Sequence, residues 1–397
     1  MFAARFFAYR FARLYATERA LQNHVEQLIV HRPSSFRFHI VISQDGDLSR
    51  MSEVIQDFTL SNDFHRANGK RYSAIASHYK WALDQMFYHF NYTHVLITEE
   101  DLDIGLDFFS YFEWGRKILD AYPEVWCISA WNDNGLEDRI DENSPEKVYR
   151  SDFFPGLGWM LKKNVWDELS PIFAKIYWDD WMRTPEVRKN RVCIRPEISR
   201  TAHNMHLAGR GTSGKLFKDF LSNIKQSQTF VDFSKIPIDV VEKSKYDAAL
   251  IKEIKNATLI TSDNIMNMIS EKGIYKIPYY STREWFTIAT KLNIMNDYRG
   301  TVQRTAYYGV VSIFINNMRV HIVPGKTAEN PDDLTKYEYT LRSQKEFTFL
   351  EFERDVCKKK QFDIPIKCDP NSEEFKLYVK EHGLKRTVDR FGPMIVC

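Results

Sequence analysis

Three short apolar runs, HIVIS at 39–43, HVLIT at 94–98 and VWCISAW at 125–131, dominate what this chain can become. Each is short for a helix, contains β-branched residues and gives way to polar residues. Runs that are apolar throughout, rather than alternating, belong to strands buried on both faces. Amphipathic stretches lie between them. Leu21, Val25, Leu28 and Ile29 share one face of a helix over 17–31, with Pro33 just beyond. Ile75, Tyr79, Leu83 and Met86 share a face over 71–87, and 105–121 suits a third helix. Strands alternating with helices predict an α/β fold, with a mostly parallel sheet covered on both faces.

The pattern changes near residue 200. Residues 202–215, with Gly209, Gly211 and Gly214, read as a mobile loop. VVSIFI and MRVHIV flank Asn316-Asn317, a hairpin signal that predicts a smaller, more antiparallel second domain. The start, MFAARFFAYRFARLYA, carries Arg5, Arg10 and Arg13 and no acid before Glu18. It reads as a transit peptide, as a basic amphipathic helix on a membrane surface, or as a buried helix. No apolar run approaches the 18 or so residues of a membrane span. Fifty-five basic residues balance fifty-three acidic ones, which argues against a dedicated nucleic-acid binder. Five cysteines without a CxxC pair argue against a disulfide scaffold or a zinc site.

The sharpest chemical signal is Glu99-Glu100-Asp101, directly after a buried strand. Ligands of open α/β sheets bind beyond the carboxyl ends of strands. Adjacent carboxylates there repel one another and raise their pKa values, and a divalent cation such as Mg or Mn relieves the repulsion. Such a cation also neutralises a diphosphate leaving group. A solvated acidic loop is the plainer alternative. Asp45 follows a buried strand too, although an Asp before Gly is equally a turn residue. His78 lies at the edge of an apolar helical stripe, where packing residues are commoner than ligands. In Tyr177-Trp178-Asp179-Asp180-Trp181 two carboxylates sit among large aromatics. Such surroundings raise a carboxylate pKa and suit a general base, while a helix cap explains an Asp there as well.

Several longer motifs come in one order: HYKWAL at 78–83, SAWNDNG at 129–135, DFFPGLGW at 152–159, WDDWMR at 178–183 and CIRPEISRT at 193–201. Together they closely resemble the N-acetylglucosaminyltransferase I family over about 17–325. The resemblance implies a GT-A, Rossmann-like nucleotide-sugar-binding domain at 17–208, a loop and linker over the nucleotide at 209–234, and the smaller domain at 235–325. These follow an atypical segment at 1–16 and precede an extension of unassigned role at 326–397, which holds Cys357, Cys368 and Cys397. It implies an inverting transfer of GlcNAc from UDP-GlcNAc, with Mn2+ assisting, to the 2-hydroxyl of an α-1,3-linked mannose on glycoproteins. By the motif match Asp101 is the metal ligand, and Glu99 and Glu100 belong to the donor site. Asp45 and His78 match positions that hold the uridine. Leu157 and Trp178 line the sugar pocket, and Thr212 and Ser213 lie in the loop over the nucleotide. Asp179 matches the catalytic base, and Cys127 and Cys193 match a disulfide pair, the one bridge expected.

Three departures stand out: Glu100 replaces an Asp of the family's acidic motif, no clear apolar strand opens the chain, and no run reads as the membrane anchor that holds the family in the Golgi. A truncated chain or a lineage difference would each explain the last two. The resemblance implies a Golgi-lumen location. Transfer to protein O-linked mannose and an inactive glycan- or nucleotide-binding relative are the alternative functions. Asn91-Tyr-Thr and Asn256-Ala-Thr match the N-glycosylation pattern.

Overall fold

The computed structural model describes residues 18–45, 61–65, 72–204, 218–268, 272–358, 364–384 and 388. Helix α1 (Glu18–His31) buries Leu21, Val25 and Leu28, the stripe its spacing dictates. Strand β1 (Val41–Asp45) pairs in parallel with β2 (Ser61–His65). Helix α2 (Tyr72–Asp84) runs into a π turn and then β3 (His94–Ile97). A turn through the acidic triplet leads to β4 (Leu102–Ile104), helix α3 (Phe108–Ala121) and β5 (Val125–Ser129). Strands β6 (Val148–Ser151), β7 (Trp159–Lys162), β8 (Val192–Pro196) and β9 (Thr201–His203) follow, with the short helix α4 (Trp178–Arg183) between β7 and β8.

The central sheet has the order β3-β7-β5-β8-β6. The three strands read from the apolar runs are β1, β3 and β5. The sheet is nevertheless mixed, not mostly parallel. Strand β7 inserts between β3 and β5, antiparallel to both, and β6 runs antiparallel to β8. Both come from the segment 148–162, whose four-residue strands are too short to announce themselves. Residues 202 and 203, expected in a loop, belong to β9, which pairs with β4.

The second sheet has the order β10-β11-β15-β14. Helix α5 (Lys243–Asn256) precedes β10 (Thr258–Leu259) and β11 (Gly273–Tyr279). Helix α6 (Thr282–Lys291) then leads to a small hairpin, β12 (Tyr298–Arg299) and β13 (Val302–Gln303). The expected hairpin forms between β14 (Val311–Ile315) and β15 (Met318–Pro324), with Asn316 and Asn317 both at positive φ. Yet β10–β11 and β11–β15 run parallel, so this sheet is less antiparallel than the sequence implied. Past it come α7 (Leu341–Phe352) and α8 (Glu373–Glu381).

Buried polar contacts join the two sheets, beside an apolar cluster that spans both, from Ile128 and Ile194 to Val310 and Val323. Asn134 donates to Thr305 Oγ1 at 3.0 Å and accepts from the Met295 amide at 2.9 Å. Arg304 donates to Asp133 at 2.6 Å and to Asp297 at 2.9 Å. Arg319 grips both oxygens of Glu197, and Glu197 Oε2 also accepts from Tyr149. Much of SAWNDNG and of CIRPEISRT is thus framework. Cys127 and Cys193 are register partners on β5 and β8 and are disulfide-bonded, as the resemblance implied. A second bridge, Cys357–Cys368, corrects the expectation of one; it staples a small cluster of Phe352, Val356, Phe375 and Val379. Nothing in the tail's spacing pointed to that pair. Among the described residues no helix is long and apolar enough to cross a membrane.

Candidate active site

Beyond β3 the chain turns through Thr98, Glu99, Glu100 and Asp101 before entering β4. The β4–β9 ladder sets Leu102 opposite His203, which brings the His203 Nδ1 to 3.6 Å from Asp101 Oδ2. The Asn204 amide donates to the Asp101 carbonyl at 2.8 Å and fixes the turn. Helix α1 braces the same turn from beneath. His24, fully buried, donates from Nδ1 to the Leu102 carbonyl, and Asn23 and Gln27 donate to Asp103. Burial lowers the His24 pKa to about 4, so this brace is neutral.

The triplet's carboxylates diverge instead of all rising. Burial and repulsion from Asp101 push Glu99 up to about 7, against a hydrogen bond from the Tyr79 hydroxyl. Burial alone would raise Asp101 as well, but His203 holds it below the usual carboxylate range. His203 is itself raised, because Asp101 outweighs its burial. Sequence reasoning missed both His24 and His203. Each lies about 80–100 residues from the triplet, and only strand pairing and helix docking bring them there.

Helix α4 carries the second pair of carboxylates. It is entered through Tyr177 at φ 50° and has no side-chain cap, so neither Asp179 nor Asp180 is a helix cap. Arg183, one turn on, donates from Nη1 to both, at 2.9 Å each. Its Nε donates to the Phe154 carbonyl at 3.0 Å, so the guanidinium is fixed. The expected rise in the Asp179 pKa is also corrected. Burial favours it, but Arg183 and Arg304 hold the group below the usual range. Asp179 keeps 45% of its side-chain surface exposed, open to an incoming hydroxyl.

Trp178 is buried in an aromatic stack, 4.2 Å from Tyr79 and 5.8 Å from Trp159, ring centre to centre. Tyr79 therefore touches Trp178 with its ring and Glu99 with its hydroxyl, linking α4 to the acidic turn. Asp179 and Glu99 lie close enough to repel each other. Gly156, Leu157 and Gly158 all have positive φ, and Leu157 at 50° is a strained backbone for a non-glycine residue. Leu157 packs against the cluster of Trp131, Leu136 and Ile224. Trp131 meets His203 edge-on at 5.6 Å, so the Leu157 loop adjoins the Asp101 side.

His78 is buried on α2 and bonds through Nε2 to Ser43 Oγ at 2.9 Å, which ties it to β1. Asp45 is the last residue of β1, but its side chain lies outside the described residues, as do Thr212 and Ser213. The structure thus gathers Glu99, Asp101, Leu157, Trp178 and Asp179 around one region, with His78 at the neighbouring strand end.

A divalent cation is tested here by what Asp101 offers. Its Oδ1 is buried with no hydrogen-bond partner among the described residues. Those residues contain no cluster of three or more His, Cys, Asp or Glu able to cage an ion. One bare carboxylate oxygen suits Mg or Mn, which take one or two carboxylates and fill the remaining positions with water and substrate phosphates. The residues fit.

The GNT-I family model matches residues 13–333 of this chain. The chain is 36% identical over 313 residues to an alpha-1,3-mannosyl-glycoprotein 2-beta-N-acetylglucosaminyltransferase of Arabidopsis thaliana, spanning 75% of this chain and 69% of that one. Among solved structures, S. aureus TarS 1-349 in complex with UDP-GlcNAc aligns with a TM-score of 0.35 at 10% identity, covering 67% of this chain and 70% of that one. A mannosyltransferase of Pyrobaculum calidifontis in complex with GDP-Man and Mn2+ aligns with a TM-score of 0.33 at 13% identity, over 49% of this chain and 54% of that one. Likenesses of that size say nothing further about this chain.

Proposed function

Since the chain belongs to the GNT-I family, we propose that it transfers N-acetylglucosamine from UDP-GlcNAc, in β-1,2 linkage, to the terminal α-1,3-linked mannose of N-glycans. The family match over 13–333 carries this reading. The pairing of an acidic turn with an ionised, half-exposed Asp179 supports it.

In the proposed reaction the mannose 2-hydroxyl attacks the anomeric carbon from the face opposite the UDP. The new C–O bond forms as the bond to the diphosphate oxygen breaks, and configuration inverts. Asp179 takes the hydroxyl proton. Arg183 keeps the Asp179 carboxylate ionised and aimed, leaving the base weaker but always available near neutral pH. Asp101 would hold a divalent cation, Mn2+ by the family resemblance, which when bound offsets charge on the departing diphosphate. Glu99 contacts a sugar hydroxyl, with Glu100, Leu157 and Trp178 completing the donor pocket, as the family resemblance implies. By the same resemblance His78 and Asp45 take the uridine, and Thr212 and Ser213 belong to the segment beside it. A Golgi lumen suits the two disulfides, which persist in oxidising compartments. Asn91 and Asn256 are both exposed, as glycan acceptors must be.

The test is direct. The protein is incubated with UDP-GlcNAc, Mn2+ and two acceptors, a mannose-terminated N-glycan and an O-mannosyl peptide, and the product linkage is read by NMR. A β-1,2 product on the N-glycan is expected. Product on the peptide alone identifies the sibling activity. Donor binding with no product on either identifies an inactive relative.

A further inference from the structure

The family match ends at residue 333, yet the chain beyond it reaches back to the helix that bears Asp179. Three contacts carry the connection. The first is made by Gln344, buried on α7. Its Oε1 accepts from the Thr301 amide at 3.0 Å, and its Nε2 donates to the Tyr298 carbonyl at 3.4 Å. One side chain thus pins β12 and the turn that leads to β13.

The second contact is the turn of that hairpin. Gly300 and Thr301 have φ of 56° and 72°. Positive φ at a β-branched residue costs about 1–3 kcal/mol and persists only where the surroundings enforce it. Gly300 is pressed against the end of α4 so closely that a Cβ there would lie 2.0 Å from the Arg183 carbonyl oxygen. Arg183 is the residue that clamps Asp179 and Asp180. A strained turn held by Gln344 therefore buttresses the arginine that aims the carboxylates.

The third contact is Tyr339, whose hydroxyl donates to Asp152 at 2.8 Å and accepts from the Gly309 amide at 2.9 Å. Its ring lies 5.2 Å from the Arg188 guanidinium. Asp152 opens the segment whose Phe154 carbonyl receives Arg183 Nε. The extension thus holds the arginine's surroundings from two sides.

We propose that the segment 339–352, outside the family match, is a strut that positions the Asp179 helix, with Gln344 as its positioning residue. This rests on the reading of Asp179 as the base. Gln344 does not touch substrate. It acts through the Gly300 turn and Arg183, and displacement of a base by about 1 Å can cost a hundredfold in rate.

The experiment compares the full-length protein with Gln344→Leu, Tyr339→Phe, Asp179→Asn and the exposed-face control Lys345→Ala. The readouts are kcat, KM for UDP-GlcNAc, donor Kd by calorimetry and melting temperature. Gln344→Leu is expected to lower kcat at least tenfold while KM and Kd for the donor stay within twofold. Tyr339→Phe, which deletes a single oxygen, should lower kcat several-fold with the same split, and it carries the test if the leucine variant does not fold. Lys345→Ala should match the parent. A kcat within twofold of the parent for both Gln344→Leu and Tyr339→Phe, with Asp179→Asn inactive, overturns the strut and leaves the base standing. Loss of kcat together with donor affinity and melting temperature also overturns it, because that is general destabilisation. Normal turnover by Asp179→Asn removes the base reading and the strut with it.

Discussion

Replacing Asp179 by Asn separates catalysis from stability, and the structure sets the size of each effect. The substitution keeps the shape of the side chain and removes its capacity to take a proton. A positioned base contributes about 10²–10⁴ in rate, equivalent to about 3–5 kcal/mol of barrier. The stability cost is much smaller. Asp179 is 45% exposed, and an ion pair of that kind is worth about 0–1 kcal/mol. Arg183 is not stranded, because Asp180 and the Phe154 carbonyl still receive it. Asp180→Asn removes the other half of the clamp with the same small cost, and Asp179 remains. Turnover with a mannose acceptor, donor calorimetry and urea melts on both variants give the comparison. Asp179→Asn should lose two to four orders of magnitude in kcat, whereas Asp180→Asn should keep most of it. Both should unfold within about 1 kcal/mol of the parent. Turnover within tenfold of normal in Asp179→Asn, or equal losses in the two variants, would show that the base lies elsewhere.

Three further outcomes are expected. Asp101→Ala should abolish metal-dependent donor binding, because it removes a buried carboxylate oxygen left bare among the described residues; calorimetry with and without Mn2+ reads this, and undiminished binding refutes it. His94, buried beside Asp120, has its pKa lowered to about 4 chiefly by burial. The unfolded chain therefore binds the extra proton first as pH falls, so up to about 3 kcal/mol of stability is lost between about pH 6.5 and 4. His94→Gln should flatten that limb of the urea-melt profile, and an unchanged limb would assign the acid sensitivity to other groups. Chain-entropy arguments give about 4 kcal/mol for the Cys127–Cys193 bridge, whose ends are 66 positions apart in sequence, and about 3 kcal/mol for Cys357–Cys368, 11 positions apart. Serine pairs at each position should follow that order in chemical denaturation, and non-reducing peptide mapping should find both bridges in secreted protein.

How much of this was legible depends on the range of each signal. The strands β1, β3 and β5 and the helices α1, α2 and α3 were visible because hydrophobic periodicity is a local property. Strands β6 and β7 were not, because four residues such as VYRS and WMLK acquire their meaning only from the partners they meet. Glu99, Asp101 and Asp179 stood out as candidates from their neighbours in sequence, and the structure brings them into one region. Their ionisation was misjudged for the opposite reason. Trp178 and Trp181 suggested a raised Asp179 pKa, but Arg183 bonds directly to that carboxylate and outweighs the aromatics. His203 carried no signal at all in RTAHN, since its importance comes from the β4–β9 register.

The buried ion pairs between the two sheets also govern how the chain can be assembled. Asp133 and Arg304 lie 171 residues apart, and Glu197 and Arg319 lie 122 apart. Contacts of such separation form late and slow folding, because a long loop must close before they return any energy. Until then Asp133 and Glu197 must stay hydrated, so the surface that holds SAWNDNG cannot finish packing. A buried charge left without its partner costs about 3–5 kcal/mol. In the half that holds the first sheet, released by proteolysis between the sheets, both carboxylates lose their arginines and must either bear that cost or draw water into the surface around them. That half should behave as an expanded, aggregation-prone species, not as a small domain in its own right.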